Sequence, residues 1–273
     1  MNLPTAVFLA ASSLAALPAR AQDADLETAF GSSKKTEGSM LGIFYDLKQN
    51  PKRQPYPQPE PRDSYKVLGE FLDSGWDENV LSRFFRATKP LYATEVLIPA
   101  AGAEGAPDAF GLKGIVQPSH WVVIYKAQVS PPEDGTYRFV GAADDLMAVG
   151  VNGKTVLVQN FYDSQFSAWK DPSPTEKIPC WIKSGLKRGD WFTCKKDEVI
   201  DLDILIGEIP GNLFGAWLLI EKKGATYSST TDAKGRRIPL LPVFQVKQKS
   251  VPVGSGDKVI PSSTSKNPWV CHP

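Results

Sequence analysis

The amino-acid sequence predicts an all-β fold, an antiparallel β-sandwich with two short helices and an extended C-terminal tail. Three stretches predict it. Trp121, Val123, Tyr125, Ala127 and Val129 alternate with Val122, Ile124, Lys126 and Gln128, the period of a strand that buries one face. Asp134-Gly135 and Asn152-Gly153 each sit between apolar alternating runs, and both dipeptides accept positive φ at low cost, the short-range mark of a hairpin. Farther on, Ile200, Leu202, Ile204 and Ile206 alternate with Asp201 and Asp203, so a later strand has one buried and one wet face.

In chain order, residues 1–21 combine an apolar run from Ala6 to Leu17 with Ala19 and Ala21 around Arg20, the pattern of a secretory signal cleaved before Gln22. No Lys or Arg precedes that run, and the competing reading is a buried N-terminal helix. The expectation is an exported protein, periplasmic, cell-surface or extracellular. No later segment approaches the ~18 apolar residues of a membrane span. Residues 22–39 are polar and small, a flexible lead-in.

Met40 to Leu47 reads as the first strand of a domain running from residue 40 to 223. Between Asn50 and Asp63 five prolines each remove a backbone donor, which makes an extended surface loop. Asp63 or Ser64 can cap a first helix whose apolar face is Val67, Leu68, Phe71 and Leu72, ended by Gly75. Asp77 can cap a second, with Val80, Leu81, Phe84 and Phe85 inward. Both helices are expected over one end of the sandwich. Leu91 to Ile98 is one strand between Pro90 and Pro99, and Ala100 to Gln117 a loop.

Residues 159–198 form an insertion with seven aromatic rings, among them Tyr162, Trp169, Trp181 and Trp191. Such rings either stack on the apolar faces of sugars or fill a satellite core under a long loop. Cys180 and Cys194 would close a short loop worth about 3 kcal/mol in the chain-entropy model, leaving Cys271 over; pairing of either with Cys271 is the alternative. The chain closes the domain with Val199–Glu208 and Ala216–Glu221, and residues 224–273 are an extended tail whose one apolar island, Ile238 to Val246, can add a strand or strap across the sandwich and whose end Trp269 and Cys271 can pin.

The composition is globular, 42% hydrophobic and 22% charged. Without residues 1–21 the charges balance at 30 basic and 30 acidic side chains, since only Arg20 is removed from 31 basic residues, so nothing electrostatic invites nucleic acid or an anionic membrane. The only histidines are His120 and His272, and no Ser-His-Asp arrangement is apparent. Adjacent carboxylates do not supply the spacing of a glycosidase pair. The expectation is a protein that is not an enzyme.

The aromatic strand of Trp121 and Tyr125, the Gly135–Phe139 strand, the doubled aspartate Asp144-Asp145 and the hairpin Val151–Lys154 together resemble the lectin-like family named after the anthrax protective antigen, which includes yeast flocculins and exported bacterial proteins. The resemblance implies a lectin-like β-sandwich. In sugar-binding members it implies calcium held by the two aspartates, joined by a cis peptide. A loop after the penultimate strand completes that site with an amide and carbonyls, which here points to Asn212 within Gly207–Gly215, with Glu208 as competitor. Leu146 follows the pair where relatives commonly have Gly, and is expected to narrow the pocket. The residues themselves also allow a plain turn at Asp144-Asp145. The expected function is therefore calcium-dependent recognition of a glycan or glycoconjugate. The alternative is a non-catalytic envelope scaffold that contacts another envelope protein without metal or sugar.

Overall fold

A computed structural model describes residues 27–57, 60–160, 178–183, 185–232, 234–249 and 260–273. The signal-like segment, Tyr162 and Trp169 lie outside the described residues. Two antiparallel sheets face each other across a common core. The larger sheet runs β1 (Glu27–Thr28), β2 (Gly31–Ser32), β5 (Leu91–Ala93), β3 (Met40–Asp46), β7 (Trp121–Ser130), β13 (Ile200–Glu208), β9 (Leu146–Val151), β10 (Lys154–Asn160). In it β4 (Phe85–Arg86) adds to β3, and β17 (Val270–His272) adds to β7. The smaller sheet runs β11 (Lys187–Arg188), β8 (Gly135–Asp144), β14 (Leu213–Lys222), β6 (Leu97–Gly102), with β12 (Phe192–Cys194) beside β8. A separate hairpin pairs β15 (Ser229–Thr231) with β16 (Arg237–Pro239).

The alternation read from the sequence sets the inner faces. Trp121, Val123 and Tyr125 of β7 meet Phe139 and Ala143 of β8 and Ala216 and Leu218 of β14 in one buried cluster. Trp121 is fully buried and donates from its indole nitrogen to the Ala103 carbonyl at 3.1 Å, so its one polar atom is satisfied. The Asn152-Gly153 hairpin forms as expected, both residues taking positive φ (50° and 74°) between β9 and β10.

Asp134-Gly135 behaves differently. Gly135 is the first residue of β8, which pairs with β14, whereas β7 pairs with β3 and β13. The dipeptide therefore carries the chain from one sheet to the other and is no hairpin. The segment expected as a single strand at Leu91–Ile98 likewise splits into β5 and β6, in different sheets, with the crossing at residues 94–96.

Helix α1 (Pro61–Asp73) starts at Pro61 behind Glu60, earlier than the expected caps, because proline at the first turn has no donor to satisfy. Gly75 ends it with φ 76°. The helix lies on the outer face of the larger sheet, where Tyr65, Leu68 and Phe71 pack on Ile43, Val122, Ile124, Ala148 and Leu205. This corrects the expected end cap and explains why β7 is buried on both faces for its first half. Asp77 caps as expected, accepting from the Asn79 amide, but the element it opens is one 3-10 turn, Glu78–Leu81. The expected loop at 100–117 contains a further short helix, α2 (Gly105–Ala109).

The tail is no appendage. Leu241, Val243 and Ile260 bury themselves on the outer face of the smaller sheet with Val140, Ala142, Trp217 and Leu219. Trp269, 3% exposed, packs edge-on against Tyr137 and Phe244 at 5.2 and 5.7 Å, and β17 then pairs with β7. All three cysteines are free thiols, which corrects the expected Cys180–Cys194 bridge. Cys194 belongs to the core between the sheets and Cys180 packs against the cluster on the smaller sheet's outer face, so the sheet stands between them.

Candidate functional site

Asp144 ends β8, Leu146 begins β9, and the Asp144–Asp145 peptide bond that joins them is cis. Leu146 is fully buried in the cluster under α1, so it turns to the helix instead of narrowing the space at the aspartates. Asp145 is 5% exposed; its amide donates to the Gly207 carbonyl at 3.0 Å, and its Oδ2 accepts from the Ile209 amide at 2.6 Å. The aspartate pair is thereby fastened to the end of β13 and the loop after it. The absence of a side chain on Gly207 lets β13 lie close against β7 at this end, because a Cβ there would lie 2.8 Å from Val122 Cγ1 and 2.9 Å from the Trp121 carbonyl oxygen.

Glu208 stands between those two anchor points and is the outlier. Its side chain is completely buried, and neither carboxylate oxygen has a hydrogen-bond partner. Burial pushes its carboxyl up to about 10, with the charges of Asp145 and Asp144 adding to the effect. Burial also lifts Asp145 to about 7, opposed by the Ile209 amide and reinforced by Asp144. Gly211 leaves the room that Glu208 occupies: a Cβ on Gly211 would lie 1.1 Å from Glu208 Oε1. A buried carboxylate with no donor at all is costly unless it is protonated or meets a cation. The donor set, all oxygen, suits a hard cation such as calcium, which takes six to eight oxygen ligands.

Asn212 lies on the same loop, but it is exposed, and its backbone oxygen accepts from the Ala103 amide at 3.1 Å. Among the described residues no three His, Cys, Asp or Glu side chains form a ready-made cage. The charges of Asp145 and Asp144 act on Glu208, so the three acids influence one another without forming such a cage.

The aromatic candidates separate. Trp181 lies over Gly215, where a Cβ would come within 2.7 Å of its ring, and Gly215 is the register partner of Asp144. Its ring meets Trp217 edge-on at 6.0 Å, and its indole nitrogen is buried without a hydrogen bond. Trp191 is 39% exposed and sits under the Arg138 guanidinium at 4.2 Å, six residues along β8 from Asp144. One buried polar pair escaped the sequence reading. His120, in the left-handed region at φ 49°, lies with Nδ1 2.9 Å from Ser64 Oγ, tying the first turn of α1 to the start of β7. Nothing in the spacing of residues 64 and 120 announces that contact.

A family model described as the PA14 domain matches residues 115–178. No curated protein matches the chain. Among solved structures, the chain is similar to the PA14 sugar-binding domain from RTX adhesin at 12% identity, covering 71% of this chain and 94% of that one, with a TM-score of 0.40. It is similar to the PA14 domain of the MpAFP antifreeze protein at 12% identity, 71% and 88% coverage and a TM-score of 0.39. A third is the epithelial adhesin 9 A domain from Candida glabrata in complex with Galb1-4GlcNAc, at 11% identity, 68% and 83% coverage and a TM-score of 0.38. No helix among the described residues is long and apolar enough to cross a membrane. The segment matched as a PA14 domain contains the Trp121 strand, the Asp144-Asp145 pair and the Asn152-Gly153 hairpin, the residues on which the sequence resembles the lectin-like protective-antigen family.

Proposed function

We propose that this chain is an exported, non-catalytic carbohydrate-binding or adhesion module whose glycan site is organised by calcium. The observation that carries the reading is Glu208, whose two carboxylate oxygens are sealed from water beside Asp145 with no protein donor. Asp144, Asp145 and Glu208 would hold the ion, with Asn212 reaching in from the same loop. When bound, calcium supplies positive charge to these acids and coordination positions for a pair of sugar hydroxyls. The chain's own part is to hold Asp145 through the Ile209 and Gly207 backbone, to keep water from Glu208, and to present Trp181 at the Gly215 side of the pair. Tyr162, Trp169 and Trp191 complete the set of rings proposed for sugar contact.

Thermal melting tests the metal half. A ligand that binds only the folded state stabilises by about 2.7 kcal/mol at a hundred times its Kd, so calcium should raise Tm and EDTA should lower it. A glycan array with and without calcium tests the sugar half. Binding that persists unchanged in D144A/D145A would remove the mechanism. An envelope scaffold without metal would show neither response.

A further inference from the structure

We infer that the outer face of the larger sheet carries a second ligand groove, separate from the proposed cation site, built for a segment of neutral oligosaccharide. Along β7, helix α1 covers this face only over Val122 and Ile124. Beyond its end the sheet floor continues as Lys126 and Gln128 of β7 and Asp201 and Asp203 of β13, under a cavity of about 1180 Å³. Its walls are the 35–39 segment with Tyr92 on one side and Trp76 with the 152–153 hairpin tip on the other. Asp201 and Glu208 are seven residues apart on β13, roughly 23 Å at about 3.3 Å per residue, so the two sites lie at opposite ends of one strand.

The chemistry of the floor selects the ligand. Lys126 Nζ lies 3.0 Å from Glu78 Oε1 and 3.5 Å from Asp203 Oδ1, so its charge is already balanced. Gln128 Nε2 donates to Asp201 Oδ1 at 3.1 Å, and the Asp201 amide donates to Asn152 Oδ1 at 2.8 Å. These mutual bonds fix the side chains and leave remaining lone pairs and N–H groups for a partner that is polar and uncharged, such as a row of hydroxyls. Glu37, Asp201 and Asp203 outnumber Lys35 and Lys126 in the lining and oppose nucleic acid, and an apolar ligand would strand the charged floor. A peptide strand finds no edge here, since β7 and β13 are each paired on both sides.

The shape calls for a chain of sugars. A second cavity of about 330 Å³ shares Tyr92 and Thr36 with the first and continues past Thr94 and Glu95. The half-buried Tyr92 ring therefore stands where the two meet, as a platform between successive sugar units.

The test uses the full chain in EDTA, titrated calorimetrically with cellobiose-series and chitobiose-series oligosaccharides of one to six units. Affinity should rise with chain length, persist in D144A/D145A, and fall at least about tenfold in Gln128→Ala/Asp201→Ala and in Tyr92→Ala, the loss of one or two polar contacts or one stacking platform. Amide chemical-shift changes in the unmodified protein at residues 126–128 and 201–203 provide a readout that needs no variant. Oligosaccharide binding that spares these amides, or survives the groove variants, overturns the groove, as does no binding by either series. Calcium-dependent binding of a terminal sugar in the glycan array would leave the cation-site reading standing in each of those cases.

Discussion

Asp145 and Ile209 are joined by a 2.6 Å hydrogen bond from the Ile209 amide to Asp145 Oδ2, and between Gly207 and Ile209, the two residues that anchor Asp145, stands Glu208 with both oxygens unpartnered. The raised Glu208 and Asp145 carboxyls fix the sign of a pH effect. Their folded values, about 10 and about 7, lie above those of the unfolded chain, so the folded state binds more protons and stability falls as pH rises from about 4.5 toward 10. Glu208→Gln removes the larger contributor. In EDTA the variant should lose less stability than the unmodified protein between pH 5 and 8 on the scale of urea melts, and calcium should no longer raise its Tm. Parallel pH profiles would show that Glu208 is not the group responsible.

Gly211→Ala probes the same carboxylate from outside. The new Cβ would fall 1.1 Å from Glu208 Oε1, so the carboxylate must move. Calcium stabilisation should drop severalfold, while oligosaccharide binding in the groove at the other end of β13 stays unchanged. Full retention of the calcium response in isothermal titration would mean that Glu208 does not contact the ion.

His120 supplies an acid-side prediction. Burial holds its imidazole below the usual range, with the Lys48 charge adding to the effect and Asp46 opposing it. A histidine with a lowered folded value contributes stability that is complete above the unfolded value of about 6.5 and is lost as pH falls toward the folded value. In His120→Gln, which cannot titrate, the stability deficit relative to the unmodified protein should shrink between pH 7.5 and 5. A deficit that is constant across that range in chemical denaturation would assign His120 a packing role only.

The parts of this molecule that local chemistry determines were legible, and the parts that depend on what lies opposite were not. That Ile200–Glu208 is a strand and Asn152-Gly153 a turn follows from alternation and from positive φ, both properties of neighbouring residues, but the wet face expected of β13 is exposed only at Asp201 and buried from Asp203 onward. Asp134-Gly135 has the same local chemistry as a hairpin, yet it leads into the other sheet, because the choice of pairing partner is made by residues far along the chain. The acidic residues of the candidate site could be named from sequence, but the burial of Glu208 could not, since it arises from Gly211 and the loop folding over it. The apolar run Ile204–Leu205–Ile206 did carry a sign that α1 covers the sheet, because a strand wet on one face would not be apolar on both.

Trp269 makes the last of these long-range effects measurable. A lone tryptophan in a polar tail can pin its end, and here its ring closes a cluster of Tyr137, Phe192 and Phe244 and brings Cys271 and β17 onto β7. Trp269→Ala removes a buried ring of the size that costs about 3–5 kcal/mol on truncation, and it also loosens the strand that follows. The urea midpoint should fall accordingly, and β17 amides should exchange faster than those of β13. Cys271, 7% exposed, should become reactive toward a thiol reagent in the native state while Cys194 stays protected in the core. A variant that loses less than about 1 kcal/mol and keeps Cys271 protected would mean that the pairing of β17 with β7, without the ring, is what holds the tail in place.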